Sequence, residues 1–252
     1  MRWIGTLTKF WAWFSTGLVF LIIVFLFGYV FDHGAENISV DFLTQAPKGM
    51  VLGSEGGIWP AIAGSLWFTG MAVLMGSIPA VAVALYQALY CKSKKQASLI
   101  RLVMECISGL PSIVLGLFAY TVLARDLGLG RCILAASSAL AIMILPFIEM
   151  RAEKAFWEVP ELMVQSAYAL GCSRAYTIRE VVFPTCLEEL VSGMILGGCY
   201  AMGATAPVMF TGAVAYASVP KSLLSTAMSL PLHLYLLLSQ GADGGAEGTA
   251  LR

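Results

Sequence analysis

Few side chains in this sequence could carry chemistry, and they lie far apart. The six cysteines, Cys91, Cys106, Cys132, Cys172, Cys186 and Cys199, form no CxxC pair, and His33 and His233 are distant from any cysteine cluster. A structural zinc site needs such ligands at short spacing, so no metal site is expected, and the cysteines read as small buried apolar residues. There is no GxxxxGK[ST] phosphate loop, no HExxH and no Ser/His constellation, so ATP cleavage and intramembrane catalysis are not expected of this chain. Glu105 lies within an apolar run, with Arg101 one helical turn before it; an i,i+4 pair snorkelling towards the membrane surface is expected. Ser108, Ser112, Thr205 and Thr211 are neutral donors beside the helix-breaking Gly109, Pro111 and Pro207. Unwound backbone at membrane depth is tolerated where it lines a cavity, so these residues either border a solute path or hydrogen-bond between helices. Gly193 and Gly197 have GxxxG spacing and read as a packing face.

The elements that must position these residues are membrane spans. Of the 252 residues, 59% are hydrophobic and 12% charged, about half the charge of a soluble domain. Mean hydropathy is +0.82, and the apolar residues form long uncharged runs. This excludes a soluble enzyme and a disordered tail, and a formal net charge of zero excludes a basic nucleic-acid binder. The expected class is all-α, a polytopic helical bundle with five clear spans.

The first span is residues 10–31, with Trp11, Trp13 and Tyr29 near its ends. It is too long for a signal-peptide core, and no small-residue cleavage site follows it cleanly, so a retained helix is expected. A polar loop, 32–57, follows. The second span lies in the uncharged run 58–90, longer than one helix needs, so part is expected to be interfacial. The third is about Leu99 to Ala124, broken at Gly109 and Pro111. The fourth is about Cys132 to Ile148, and the fifth lies within Leu190 to Thr211. Leu223 to Leu238, short and carrying Pro231 and His233, reads as a weak sixth span, a re-entrant piece or an interfacial helix; 241–252 is a polar tail. With the amino terminus (1–9) inside, ten Lys and Arg fall on inside segments and four outside. That bias predicts a cytoplasmic amino terminus, a periplasmic 32–57 loop and a cytoplasmic stretch 149–189.

Within that stretch, Glu161 to Leu170 is helix-compatible, Gly171 can end the helix with a positive φ, and Arg174 to Val182 supports a second short helix that Pro184 stops or turns. A helix–glycine–helix outside the membrane makes a rigid knob able to dock in a groove of a soluble partner.

The spacing of this knob resembles the EAA loop of ABC importer permeases. Gln165-Ser166-Ala167 stands for the Glu-Ala-Ala triplet, Gly171 matches, and Val181, Phe183 and Pro184 stand for the closing Ile-x-Leu-Pro. The segment from Gly109 to Tyr120 resembles a signature of phosphate-specific ABC permeases. Gly203-Ala204-Thr205-Ala206-Pro207-Val208-Met209-Phe210-Thr211 is similar to their Gly-Glu-Thr-Ala-Pro-Leu-Leu-Phe-Thr. Leu230-Pro231 also fits the A-type subunit. The resemblance covers about Ser65 to Gln240.

It implies a type I permease fold over 58–240, in a multi-pass subunit of the bacterial inner membrane that passes phosphate delivered by a periplasmic binding protein. The implied partners are a second homologous permease and two cytoplasmic ATPases, which hold the ATP and magnesium and are coupled through residues 160–184. This chain would bind no cofactor itself. Three departures are visible. Tyr200 and Ala204 stand where the family carries Arg and Glu in the fifth span. Met150 stands four residues after Pro146 where the family has Arg, with Arg151 next to it as a shifted substitute on the substrate path. The family's last span is missing, which implies a fragment or a degenerate gene. The alternatives left open are an importer for tungstate or molybdate and a transport-inactive scaffold paralogue.

Overall fold

The computed structural model describes residues 2–35, 38–48 and 56–244, with side chains from 8 to 239 within those ranges. Residues 245–252 of the expected polar tail, and Glu36 and Glu55 of the expected loop, lie outside the described residues. Two compact units are present. Pro60–Leu236 forms one, and the described residues up to Trp59 with those from Leu237 onward form the other.

In the smaller unit, α1 (Arg2–Gly34) holds the first apolar run in one uninterrupted helix. In a bilayer every backbone polar group must be satisfied internally, and a continuous helix does this alone. The loop after it folds on a short α2 (Val40–Thr44), whose N-cap Ser39 accepts a hydrogen bond from the Phe42 N–H. The Ile58 and Trp59 N–H groups then donate to Phe42 and Gln45 carbonyls, at 2.9 and 3.1 Å.

The larger unit begins with α3 (Trp59–Leu85), which continues as a π-helical turn, Tyr86–Tyr90. The whole uncharged run is therefore one 32-residue helix. At 1.5 Å per residue it is about 48 Å long, more than the roughly 30 Å hydrocarbon layer needs. The expected interfacial segment is thus an extension of the helix, not a separate piece. Next come α4 (Lys94–Ser108) and α5 (Ser112–Ala119), which ends in a second π turn, Tyr120–Asp126. The two arms of this third run meet at 94°. Pro111 cannot donate to the ladder and holds its predecessor out of the α region, so the chain turns there.

Helix α6 (Ile133–Trp157) is the central one. It runs nine residues beyond the expected end at Ile148, because Glu149 is satisfied by a neighbour instead of marking a water boundary. Its first-turn N–H groups are all taken: Cys132, Ile133 and Leu134 donate to the Thr211, Ser225 and Leu223 carbonyls, each at 3.0 Å, and Ala135 to the Cys132 sulfur. Short helices α7 (Glu161–Ala169) and α8 (Arg174–Thr177) follow. From α8 the chain runs without a stop through a third π turn, Ile178–Val182, into α9 (Phe183–Met202). Pro184 does not end the helix. It sits in the first turn of α9, where the π turn has already shifted the hydrogen-bond ladder. Gly203 closes α9, and the irregular linker leads into α10 (Ala206–Thr211). The segment 212–229 is irregular and pinned, and α11 (Leu230–Gly244) is the last described element. The apolar part of α11 is only Leu230–Ser239.

Four described helices are long and apolar enough to cross a membrane, or five if the bent pair is one span. The core packs α6 against α3, α5, α9 and α10 through Phe68, Leu140, Ile144, Ile148 and Val208. Gly193 and Gly197 face α6: an added Cβ would lie 3.4 Å from Arg151 Cβ and 2.9 Å from Ile148 Cγ1, respectively. A second cluster, with Ala84, Ala152, Phe156, Val182 and Cys186, ties the ends of α3, α6 and the π turn before α9.

Candidate functional site

Two features of the larger unit have the geometry of a working site: a cavity inside the bundle and a knob at one end of it. The cavity holds about 530 Å³. Its walls come from α4 (Arg101, Met104, Glu105, Ser108), α6 (Phe147, Glu149, Met150, Glu153) and Tyr200 of α9, with Gln87 of the Tyr86–Tyr90 turn and Ser112 of α5. Glu149 is only 3% exposed, and its Oε1 accepts a hydrogen bond from Gln87 Nε2 at 2.5 Å. A buried carboxylate without a donor is costly, and Gln87 supplies one. Arg101 Nη2 lies 3.9 Å from Glu153 Oε1. The i,i+4 pairing of Arg101 with Glu105 is therefore not the ion pair observed, because α6 offers a carboxylate across the cavity. With three carboxylates and one guanidinium on its walls, the cavity is acidic. A free anion meets repulsion there unless a cation from elsewhere balances it. Among the described residues no group of His, Cys, Asp and Glu is arranged to hold a metal ion.

The residues singled out in the sequence divide between this cavity and the helix packing. Ser108 and Ser112 line the cavity, while Gly109 and Pro111 make the bend between them. Met150 lines it, but Arg151 does not; the Arg151 guanidinium lies over the Phe147 ring, 5.2 Å from its centroid. Thr205, Pro207 and Thr211 are in or beside α10, away from the cavity walls. Thr211 is buried and donates to the Pro207 carbonyl at 2.7 Å. Pro207 meets α5 so closely that a Cβ on Gly116 would fall 2.9 Å from its Cα. Sequence reasoning missed Gln87. Its signal was available, since it is the lone amide side chain in the uncharged run 58–90.

The knob runs from Glu161 of α7 through Gly171 and α8 to Val182. Gly171 has φ +84°, a conformation that ordinary residues adopt only at a cost, and it turns the chain from α7 into α8. Gln165 and Ser166 are exposed on α7, and Ala167 is buried beneath them. Gln165 Nε2 donates to Glu161 Oε1 at 2.9 Å. On the far side of the turn, Ser173 caps α8 by accepting from the Tyr176 N–H. Val181 and Phe183 are half-buried, and the Phe183 ring meets Phe156 edge-on at 5.7 Å. Leu162, Leu170 and Tyr176 are left exposed, at 74%, 84% and 55%. Large apolar side chains left this exposed on a helix pair outside the long apolar spans suit an interaction surface.

Residues 80–238, which include every cavity wall and the whole knob, match the family described as the inner membrane component of binding-protein-dependent transport systems. The chain belongs to this family. Among its relatives is the "Probable ABC transporter permease protein YqgI" of Bacillus subtilis (strain 168), 26% identical over 245 residues, 92% of this chain and 83% of that one. The "Probable phosphate transport system permease protein PstA" of Methanocaldococcus jannaschii is 31% identical over 73% of this chain, which spans 65% of that relative's length. The "Phosphate transport system permease protein PstA" of Mycobacterium leprae (strain TN) is 29% identical over 92% of this chain and 77% of that one. These relatives are named as transport permeases, not as enzymes. A solved structure, of inward-facing conformations of the MetNI methionine ABC transporter, superposes with a TM-score of 0.51 at 16% identity over 77% of this chain and 82% of that one. That likeness concerns the fold alone. As a family member, the chain is a helical membrane component of the ABC type I permease class.

Proposed function

We propose that this chain is a permease subunit of an ATP-driven importer that passes inorganic phosphate, and that its knob is where a cytoplasmic ATPase docks. The observation that carries this reading is the knob itself. It is an exposed apolar surface built around the positive φ of Gly171, on two short helices that lead directly into α9. Such a unit is rigid enough to transmit a push into the bundle. ATP and magnesium belong to the ATPase in this reading, and the chain hydrolyses nothing. Its other partners are a second permease subunit and a periplasmic binding protein that delivers the substrate. The charge bias along the chain supports a cytoplasmic amino terminus and a cytoplasmic knob. Phosphate as substrate is supported by the relatives named as phosphate transport permeases.

One observation favours a second oxyanion, such as tungstate or molybdate. Tyr200, which lines the cavity, and Ala204, which does not, stand where the family's Arg and Glu form its phosphate-associated pair. Uptake of radiolabelled phosphate, challenged with each of these anions, separates the readings: inhibition by phosphate alone supports the first, and preferential block by tungstate or molybdate the second. Gly171→Glu tests the knob. A side chain at this φ is strained although open space surrounds it, and a new charge lands in the docking surface. Uptake is expected to vanish while the protein still inserts in the membrane, and normal uptake would sink the docking reading.

A further inference from the structure

Besides the continuous run from the knob into α9, one further element touches both the knob and the cavity: the π-helical turn Tyr86–Tyr90, held by Arg174 on one side and by Glu149 on the other. On the knob side, Arg174 is the first residue of α8. Its guanidinium carbon lies 3.8 Å from the Tyr90 ring centroid, well inside the roughly 6 Å reach of a cation–π contact. Its Nη2 also donates to the Leu89 carbonyl. The last carbonyls of a helix have no partner within it, and a cation at that end also suits the helix dipole. On the cavity side, Gln87 of the same turn donates to the buried Glu149. Both grips fall within five residues.

The form of that turn matters. A π turn holds one residue more than α geometry accommodates, and such turns are rare and concentrated at functional sites. Converting such a turn to α geometry would rotate the side chains within it. A pull on Leu89 and Tyr90 biases that conversion, and Gln87, inside the turn, moves with it.

We infer that the Tyr86–Tyr90 turn is the link by which motion of the knob reaches the cavity wall, with Arg174 and Gln87 as its two positioning residues. This rests on the reading of the knob as an ATPase dock. The two are tested together in the intact complex, purified through a tag on this chain and reconstituted in lipid. Ser112→Cys serves as the cavity reporter, its maleimide labelling followed by peptide mass spectrometry with and without a non-hydrolysable ATP analogue. With Arg174 present, the analogue is expected to change the labelling rate at least about fivefold, the lower end for coupled sites. In Arg174→Ala that change is lost while the complex still binds the nucleotide. Arg174→Lys, which keeps a cation and a donor, restores much of it. Tyr90→Phe, which keeps the ring, behaves as the parent, and Tyr90→Leu behaves as Arg174→Ala. A nucleotide-driven change that survives Arg174→Ala overturns the link. So does its loss together with loss of the ATPase from the complex, which makes Arg174 a docking contact only. A parent complex that carries no ATPase sinks the docking reading, and the link with it, before any Arg174 variant is made.

Discussion

Helices α1 and α6 are equally at home in lipid and differ in almost everything else. Their most apolar windows have mean hydropathies of 2.4 and 2.0, yet none of the first is buried within the protein and 67% of the second is. The difference lies in side-chain size. The middle of α1 is Phe20, Leu21, Ile22, Ile23, Val24 and Phe25, all exposed. The start of α6 is Ala135, Ala136, Ser137, Ala139 and Ala141, all buried. Lipid tails are as apolar as leucine, so no hydrophobic gain drives helices together in a bilayer; close van der Waals approach does, and small residues permit it. Ser137 adds a hydrogen bond to the Phe68 carbonyl of α3 at 3.1 Å, a tie unavailable to a lipid-facing residue. Hydropathy thus tells which helices enter the membrane, and residue size tells which of them form the core.

That contrast can be broken most sharply with glycines. An added Cβ on Gly64 of α3 would fall 2.0 Å from the Met228 carbonyl oxygen, whereas nothing lies within 4 Å of one on Gly28 of α1. Gly64→Val is expected to cost upwards of about 3 kcal/mol, as severe overpacking against backbone does, and to abolish the folded peak in detergent. Gly28→Val is expected to stay within about 0.5 kcal/mol of the parent. Equal behaviour of the two in size-exclusion chromatography would erase the distinction between the helices. A smaller effect is expected of one leucine placed in each helix. Ala139→Leu, at a position with no exposure, is expected to destabilise by about 1–3 kcal/mol. Ala12→Leu, on the exposed face of α1, should leave the thermal midpoint unmoved. The smallest contrast is Gly197→Ala. Its Cβ would meet Ile148 Cγ1 at 2.9 Å, a side-chain atom able to yield. A loss of about 1 kcal/mol is expected, against none for Gly17→Ala, where space is open; thermal melts of both in the same detergent check it.

The spans were legible because lipid imposes a harsh rule on sequence: charge-free runs long enough to cross. The break at Gly109 and Pro111 was legible too, since glycine and proline state their geometry locally. So was the helix end at Gly171, where the chain takes the positive φ expected. The helix ends were harder. Glu149 looks like the start of a water-exposed stretch until Gln87, sixty-two residues earlier, is seen to satisfy it. Pro184 looks like a stop until the π turn before it is seen. The cavity was only half legible for the same reason. Ser108 and Ser112 advertise themselves beside a bend, but the partner of Arg101 is Glu153 on another helix, and i,i+4 arithmetic cannot reach across a fold. Thr205 and Thr211 are hydroxyl residues beside a proline as the two serines are, yet they lie in or beside α10 and do not line the cavity.

The capping of α6 has a consequence for biosynthesis. The carbonyls that accept its first-turn N–H groups belong to Thr211, Leu223 and Ser225, which leave the ribosome long after α6 has been made. Until then the central helix carries three bare donors, and in hydrocarbon each costs several kcal/mol. The first turn of the helix on which most of the bundle packs is therefore among the last parts of the fold to be fixed. A nascent chain halted before Leu223 is expected to hold α6 near the headgroups, where water can serve those donors, and to remain open to quality-control proteases for as long as it is stalled.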